Sequence, residues 1–305
     1  MEVVSVLFRQ VIIMFILMFI GYFAYKRKII SDQGSRDLGA ILLNIAVPVV
    51  VISNFCVEAT PERINDLLLS GAVTLIAMFI SVAVSVIFFH KTDRIAEFSS
   101  AFSNAGFVGI PLVQATFGSG AVFYISIMIV LVNVLQWTYG VFTITDDRSV
   151  MDLRKVAKNP VVLAVAVGMI VFFARIQLPS IVSSIFSIIS GLNTPLAMLV
   201  SGVYLAQSDL LAMLKKKRVY FVSAVRLLVV PVITLLVFRL LNIGSATLQM
   251  SILLAAACPV GSNVAVFARL YDKDFKSGVE YVCVSTLLCL ATLPAVIWLA
   301  SLLIH

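Results

Sequence analysis

Charge is scarce in this chain. Asp, Glu, Lys and Arg make up only 12% of its 305 residues, against about 25% in a soluble globular domain. Histidine is nearly absent: His90 falls in a loop and His305 at the C-terminus. The four cysteines, Cys56, Cys258, Cys283 and Cys289, form no CxxC pair, and three lie in apolar stretches. Thiols of that kind usually fill core space, and no metal site can be assembled from this set. No HExxH, no intramembrane histidine and no aspartate pair supplies the nucleophile–base or metal constellation of an enzyme, and nothing calls for a cofactor. No low-complexity or soluble-domain stretch remains either, and a receptor tends to carry a larger soluble segment.

What is present is apolar. Hydrophobic residues are 61% of the chain, in runs of about 20 that need about 30 Å of hydrocarbon to hide in. This reads as an all-α polytopic membrane protein in the lipid bilayer. The net charge of +7 does not suggest nucleic acid, because the basic residues sit in short loops without interleaved aromatics. The first apolar run is a retained helix, not a cleaved signal, since Lys26-Arg27-Lys28 follows it instead of preceding it.

Ten spans are expected, at about 6–25, 37–55, 67–89, 95–117, 120–143, 160–176, 180–204, 219–241, 246–270 and 276–303. Of the 22 Lys and Arg, 17 fall in one set of loops, four in the other and one, Arg226, within a span. Basic loops stay cytoplasmic. Both termini are therefore expected on the non-cytoplasmic side of a cell (plasma or inner) membrane, as an even span count requires.

Spacing suggests a repeat. Gly21 and Gly168 are 147 residues apart, Pro48 and Pro195 are 147 apart, and Pro111 and Pro259 are 148 apart. The pairs occupy matching places in the first, second and fourth spans of each half. Two five-span halves follow, 1–150 and 151–305. Five is odd, so the second half enters the membrane inverted. Inverted repeats with paired interrupted helices point to a secondary transporter.

The interruptions are Gly109-Ile110-Pro111 in the fourth span and Cys258-Pro259-Val260-Gly261 in the ninth. Half-helices are expected to begin after Pro111, over 112–117, and after Pro259, because proline suits a first helical turn. Two helix N-termini at one depth make an anion site without basic side chains. The preceding half-helices end nearby in carbonyls suited to Na⁺, and at this level either pair of ends can face the ligand. Candidate substrate-binding residues are Asn104, Gly109, Pro111 and Gln114 around the first break, and Pro259, Ser262 and Asn263 around the second. Asn44 before Pro48, and Asn193 with Thr194 before Pro195, join them. Asn133 and Gln136 are weaker candidates, assigned to bonding between helices. No carboxylate is expected at the midplane, and the nearest acid, Glu280, lies near the interface. This disfavours a carboxylate-based cation/proton antiporter. Arg226 has three readings: it snorkels to the cytoplasmic surface, pairs with Glu280, or attracts anions.

At these residues the chain resembles the auxin efflux carrier family, the PIN-like transporters, and specifically its short microbial members. The likeness rests on Asn104-Ala105-Gly106-Phe107-Val108-Gly109-Ile110-Pro111-Leu112, on Arg226-Leu227 with Pro231, and on Pro259 with Ser262-Asn263. The resemblance implies a fold like that of bile-acid symporters and sodium/proton antiporters, with broken helices 4 and 9 crossing. It implies a scaffold of spans 1, 2, 6 and 7 that forms a homodimer, and a moving transport domain of spans 3–5 and 8–10. It implies a small organic anion as substrate, auxin-like or a dicarboxylate, carried by an elevator-type movement. Its alternative is a sodium-coupled symporter of bile-acid type. The long loop between halves of plant members is short here, so regulation through it is not implied.

Overall fold

The computed structural model describes residues 2–147, Arg154 and 157–304. Arg148, Lys155, His305 and the expected boundary at 150–151 lie outside the described residues. The helices run in the order α1 Glu2–Lys26, α2 Asp32–Phe55 and α3 Pro61–Phe89, α4 Arg94–Ala101, and α5 Ala105–Phe117 and α6 Ser119–Thr145. There follow α7 Pro160–Phe173, α8 Ser180–Gln207, α9 Lys217–Leu241 and α10 Ala246–Ala256, then α11 Asn263–Leu270 and α12 Phe275–Leu303. By length and composition α1, α2, α3, α6, α8, α9 and α12 can each cross a membrane; α5, α7 and α10 are shorter apolar helices.

Helix starts are written in the loops. Ser31, Thr60, Asp93, Asn159, Ser245 and Asp274 each accept a backbone N–H of the first turn of α2, α3, α4, α7, α10 and α12, satisfying donors that a helix leaves unpaired. Large apolar side chains such as Phe23, Phe79, Ile87, Ile181 and Leu240 stay exposed, a surface that lipid covers and water would not.

Two close packings organise one side of the molecule. α1 lies against α8 at Gly21 and Gly202, where any Cβ would collide with the backbone of the facing helix, at Leu199 and at Met18 and Tyr22. α7 lies against α2, where Gly168 receives the Phe55 ring, and Phe55 meets Phe123 and Phe172 edge-on at 5.3 and 6.4 Å.

Four helices widen for one turn each, at Leu42–Ala46, Ala105–Gly109, Gln136–Gly140 and Val225–Val229. In three of them the next residue but one is proline: Pro48, Pro111 and Pro231. The wide turn bonds Val47, Ile110 and Val230 back five residues, so the carbonyl that proline would crowd is already displaced. This corrects the expected break at Gly109-Ile110-Pro111. Helix α5 continues through it, and Pro111 is buried inside that helix. The chain is interrupted earlier, at Phe102-Ser103-Asn104, where Phe102 is extended (φ −116°, ψ 117°). Pro259, in contrast, lies within the second interruption, between α10 and α11. The two prolines 148 apart therefore hold different places. Pro48 and Pro195 differ as well: Pro48 sits within the unbroken α2, whereas Pro195 is the third residue of α8 past its turn at Leu192.

Candidate functional site

The two interruptions cross each other. Ser103 and Val260 form an antiparallel bridge, in which Asn104 N donates to Pro259 O at 2.8 Å and Gly261 N to Phe102 O at 3.0 Å. Val260 N donates to Ser285 Oγ of α12 at 3.0 Å. Backbone freed from its helices is thus paired inside protein, as irregular chain at membrane depth must be. Gly261 lets the strands approach without strain: a Cβ there would lie a tight 3.3 Å from Ser103 O and 3.4 Å from Phe102 O.

Four helix ends meet at this crossing, in two pairs of opposite polarity. The carbonyl ends are those of α4 and α10, and both are taken by one side chain. Arg226, on the wide turn of α9 and fully buried, donates from Nη1 to Ser100 O at 3.0 Å and to Ala101 O at 3.5 Å. Its Nε donates to Cys258 O at 3.3 Å and its Nη2 to Ala256 O, while Nη1 also reaches Ser81 Oγ of α3 at 3.4 Å. Two of the sequence readings of Arg226, snorkelling to the surface and pairing with Glu280, are therefore corrected. A guanidinium carries donors in a planar fork, and here it caps two helix ends at once. Glu280 has another partner: both its oxygens lie 2.7 Å from Lys216 Nζ.

The amide ends are those of α5 and α11, and they border a small cavity of about 50 Å³. Its lining includes Ser103, Asn104, Gly106, Asn133, Gln136 and Ser262, with Asn263 beside them. Asn104 caps α5, its Oδ1 accepting Phe107 N at 3.3 Å, which leaves its amide nitrogen as an unused donor. Asn263 Nδ2 donates to Gln136 Oε1 at 2.8 Å, and Asn133 Oδ1 accepts Asn159 Nδ2 at 3.3 Å. Asn133 and Gln136 thus do bond between helices, and they line the cavity as well. Ser103 Oγ is buried without a partner.

Ser262 also lines a second, much larger cavity of about 890 Å³. Asp32, Arg36, Gln207, Asp209, Arg269, Lys276 and Glu280 surround it, all from helix ends adjoining the basic loops. Its size is that of a ligand pocket, about 300–1,000 Å³, and it leads from the basic face to the crossing.

The remaining candidates separate. Gly109 is buried, with a Cβ position 3.6 Å from Ala255 and Cys258 side-chain atoms, so it packs α5 on α10 and borders neither cavity. Gln114 is exposed. Asn44 is exposed too and bonds Ala40 O of its own helix at 2.8 Å, although its neighbours Leu43 and Val47 line the small cavity. Asn193 is 2% exposed, and neither polar atom of its side chain has a partner. A buried amide left unpaired costs about 1–3 kcal/mol, a cost that fits a side chain kept for a ligand. Sequence reasoning missed Glu97, which is 1% exposed and accepts Tyr139 OH at 2.7 Å. It lies in the first turn of α4, and its signal was the Asp93-Arg94 pair that starts that helix on the basic face.

A family model for membrane transport proteins matches residues 6–297. The uncharacterized transporter YfdV of Escherichia coli strain K12 is 22% identical over 307 residues, covering 94% of this chain and 95% of the relative. An uncharacterized transporter of Methanocaldococcus jannaschii is 23% identical, with 95% and 97% covered. One from Methanothermobacter thermautotrophicus is 24% identical, with 92% and 93% covered. A match of this extent, on a polytopic helical chain whose broken helices cross, decides the family: the chain belongs to the membrane transport protein family of auxin efflux carriers and is a multi-pass membrane transporter.

Proposed function

We propose that this transporter exports a small organic anion, auxin-like or a dicarboxylate, by alternating access of the elevator type. What carries the reading is the division of helix ends at the crossing. The carbonyl ends of α4 and α10 already hold a cation of the protein's own, Arg226. The starts of α5 and α11, with Asn104, Ser262 and Asn263, border a cavity, with Phe107 N, Val264 N and Ala265 N already bonded within their own turns. Each helix N-terminus carries roughly half a positive charge, so a carboxylate is the complementary ligand. The same occupancy argues against the sodium-coupled alternative.

Packing supports two bodies. α3, α4, α5, α6, α9, α10, α11 and α12 are tied around the crossing by Arg226, Ser285, the Asn263–Gln136 bond and the Asn104–Pro259 backbone bond. Asp93 adds a further tie, 3.1 Å from Arg218 Nε and 3.0 Å from Tyr281 OH. α1, α2, α7 and α8 form the other body, joined by the glycine contacts and by Asp32, which accepts from Tyr25 OH and Gln207 Nε2. Between the bodies Asn159 bonds Asn133 at 3.3 Å, Ser208 Oγ meets Cys283 Sγ at 3.5 Å, and Phe55 and Phe172 pack on Phe123. In this reading the second body is a scaffold that dimerises, and the first moves as the transport domain. The two halves are inverted repeats of ten crossings, with both termini outside the cell membrane. A cavity of about 50 Å³ holds a few waters and no dicarboxylate. Movement of one body past the other must therefore widen it as substrate arrives from the large cavity.

The simplest drive is uniport. An interior-negative potential favours anion exit by about 2.3 kcal/mol per charge per 100 mV. Proteoliposomes loaded with a radiolabelled small carboxylate test this: efflux should quicken when the inside is made negative. Flux indifferent to voltage contradicts it.

A further inference from the structure

We infer that Arg226 is a resident substitute for a coupling cation: it fills a monovalent-cation site that the crossing itself creates, and so makes transport independent of Na⁺. The inference deepens the proposed function by assigning its coupling. The geometry is specific. Five oxygens converge on one buried guanidinium: the carbonyls of Ser100, Ala101, Ala256 and Cys258, and Ser81 Oγ. They come from α3 and from the ends of the two interrupted helices, α4 and α10. Converging carbonyls of unwound backbone and helix C-terminal ends are how membrane transporters hold Na⁺, and carbonyl rings can replace a cation's hydration shell. The site is built for a cation, and the cation is covalently part of α9.

The chemistry around it fits. No carboxylate contacts Arg226 among the described residues, so its charge is met by carbonyl dipoles and one hydroxyl. Buried dipole ends of that kind need a positive charge, and removing the guanidinium leaves them unpaired. The residues bordering the amide-lined cavity continue directly from this cluster, Ala101 through Phe102 to Ser103 and Cys258 through Val260 to Gly261. Arg226 therefore acts as a positioning residue. It holds the two interruptions in register and keeps a fixed positive charge on the side of the crossing opposite the amide ends.

The test is made on the purified full chain in detergent, without any organic substrate, by thermal melting in NaCl, guanidinium chloride or choline chloride at matched ionic strength. The wild-type protein should show no shift specific to Na⁺. Arg226→Met should melt lower in choline chloride and recover by several degrees in NaCl or in millimolar guanidinium chloride, since a ligand that binds only the folded state raises its stability. A Na⁺-specific shift in wild type overturns the inference, as does a folded Arg226→Met that responds to neither cation. Should Arg226→Met yield no folded protein, Arg226→Lys decides. Lysine keeps the charge, so the variant should fold and ignore Na⁺; an Arg226→Lys stabilised by Na⁺, or one that also fails to fold, overturns the inference. Failure of the anion reading would appear in flux assays instead and leave these melting curves unchanged.

Discussion

The two sides of the crossing differ in how their helix ends are satisfied. On one side α4 and α10 end on Arg226, which is fully buried and bonded to five oxygens. On the other side α5 and α11 begin around a cavity, and Ser103 Oγ is buried without a partner among the described residues. The carbonyl ends of the first side are met by the protein's own cation, although the Ser99 and Ser100 hydroxyls beside them stay unpaired, whereas the second side borders a cavity. A polar group left open inside a membrane protein is a functional-site hypothesis. In the proposed function the carbonyl side is architecture and the amide side recognises the substrate.

Substitutions can break or sharpen that contrast. The largest expected effect is Arg226→Ala. It leaves four carbonyls facing an empty buried site and should destabilise the protein by at least about 1–3 kcal/mol, the cost of a buried polar group left unpaired. A melting temperature close to wild type would contradict the architectural role. Next is Asn104→Ala. Losing the cap of α5 should lower stability by about 0.5–2 kcal/mol, and transport should fall further, with KM rising about tenfold if one hydrogen bond of about 1.4 kcal/mol is lost. Flux kinetics and melting measured on the same preparation separate the two effects.

Asn193→Leu sharpens the contrast from another side. An amide without partners gains nothing from being polar in the empty protein, so leucine should leave stability unchanged or raise it by up to about 1–3 kcal/mol while transport falls. Unchanged transport would remove Asn193 from the site. The smallest effects belong to Asn44→Ala and Gln114→Ala. Both side chains are exposed, and each change should stay within about 0.5 kcal/mol and leave KM unaltered. A large KM effect at either would mean that the site extends beyond the crossing.

Much of this arrangement was legible in the sequence. Hydrophobic runs placed every long helix to within about six residues; the largest gaps are at α2 and α3, whose polar first turns after the caps Ser31 and Thr60 carry no apolar signal. Pro259 and Gly261 located the second interruption correctly. Pro111 misled for a physical reason: a wide turn placed just before a proline absorbs it, and one-dimensional spacing does not distinguish an absorbed proline from a broken helix. The same device hides at Pro48 and Pro231. Ser103 carried no signal of its own beyond standing next to Asn104, because an interruption made by φ and ψ alone needs no special residue.

Arg226 was illegible in a different way. Its partners are backbone carbonyls from residues 30 to 126 positions away, and a carbonyl has no letter in the sequence. A search for acidic partners therefore pointed to Glu280, which Lys216 holds instead. Glu280 lines the large cavity and is matched there by a full opposite charge, Lys216, whereas at the crossing Arg226 is matched by dipoles.

The central claim is that the amide side of the crossing recognises a negative charge. It is tested most directly by thermal shift of the purified protein against a panel of small carboxylic acids and their neutral methyl esters. The account predicts a saturable rise in melting temperature with a carboxylate, none with its ester, and loss of the rise in Asn104→Ala. Stabilisation by the esters or by amines, with no response to any carboxylate, would contradict it.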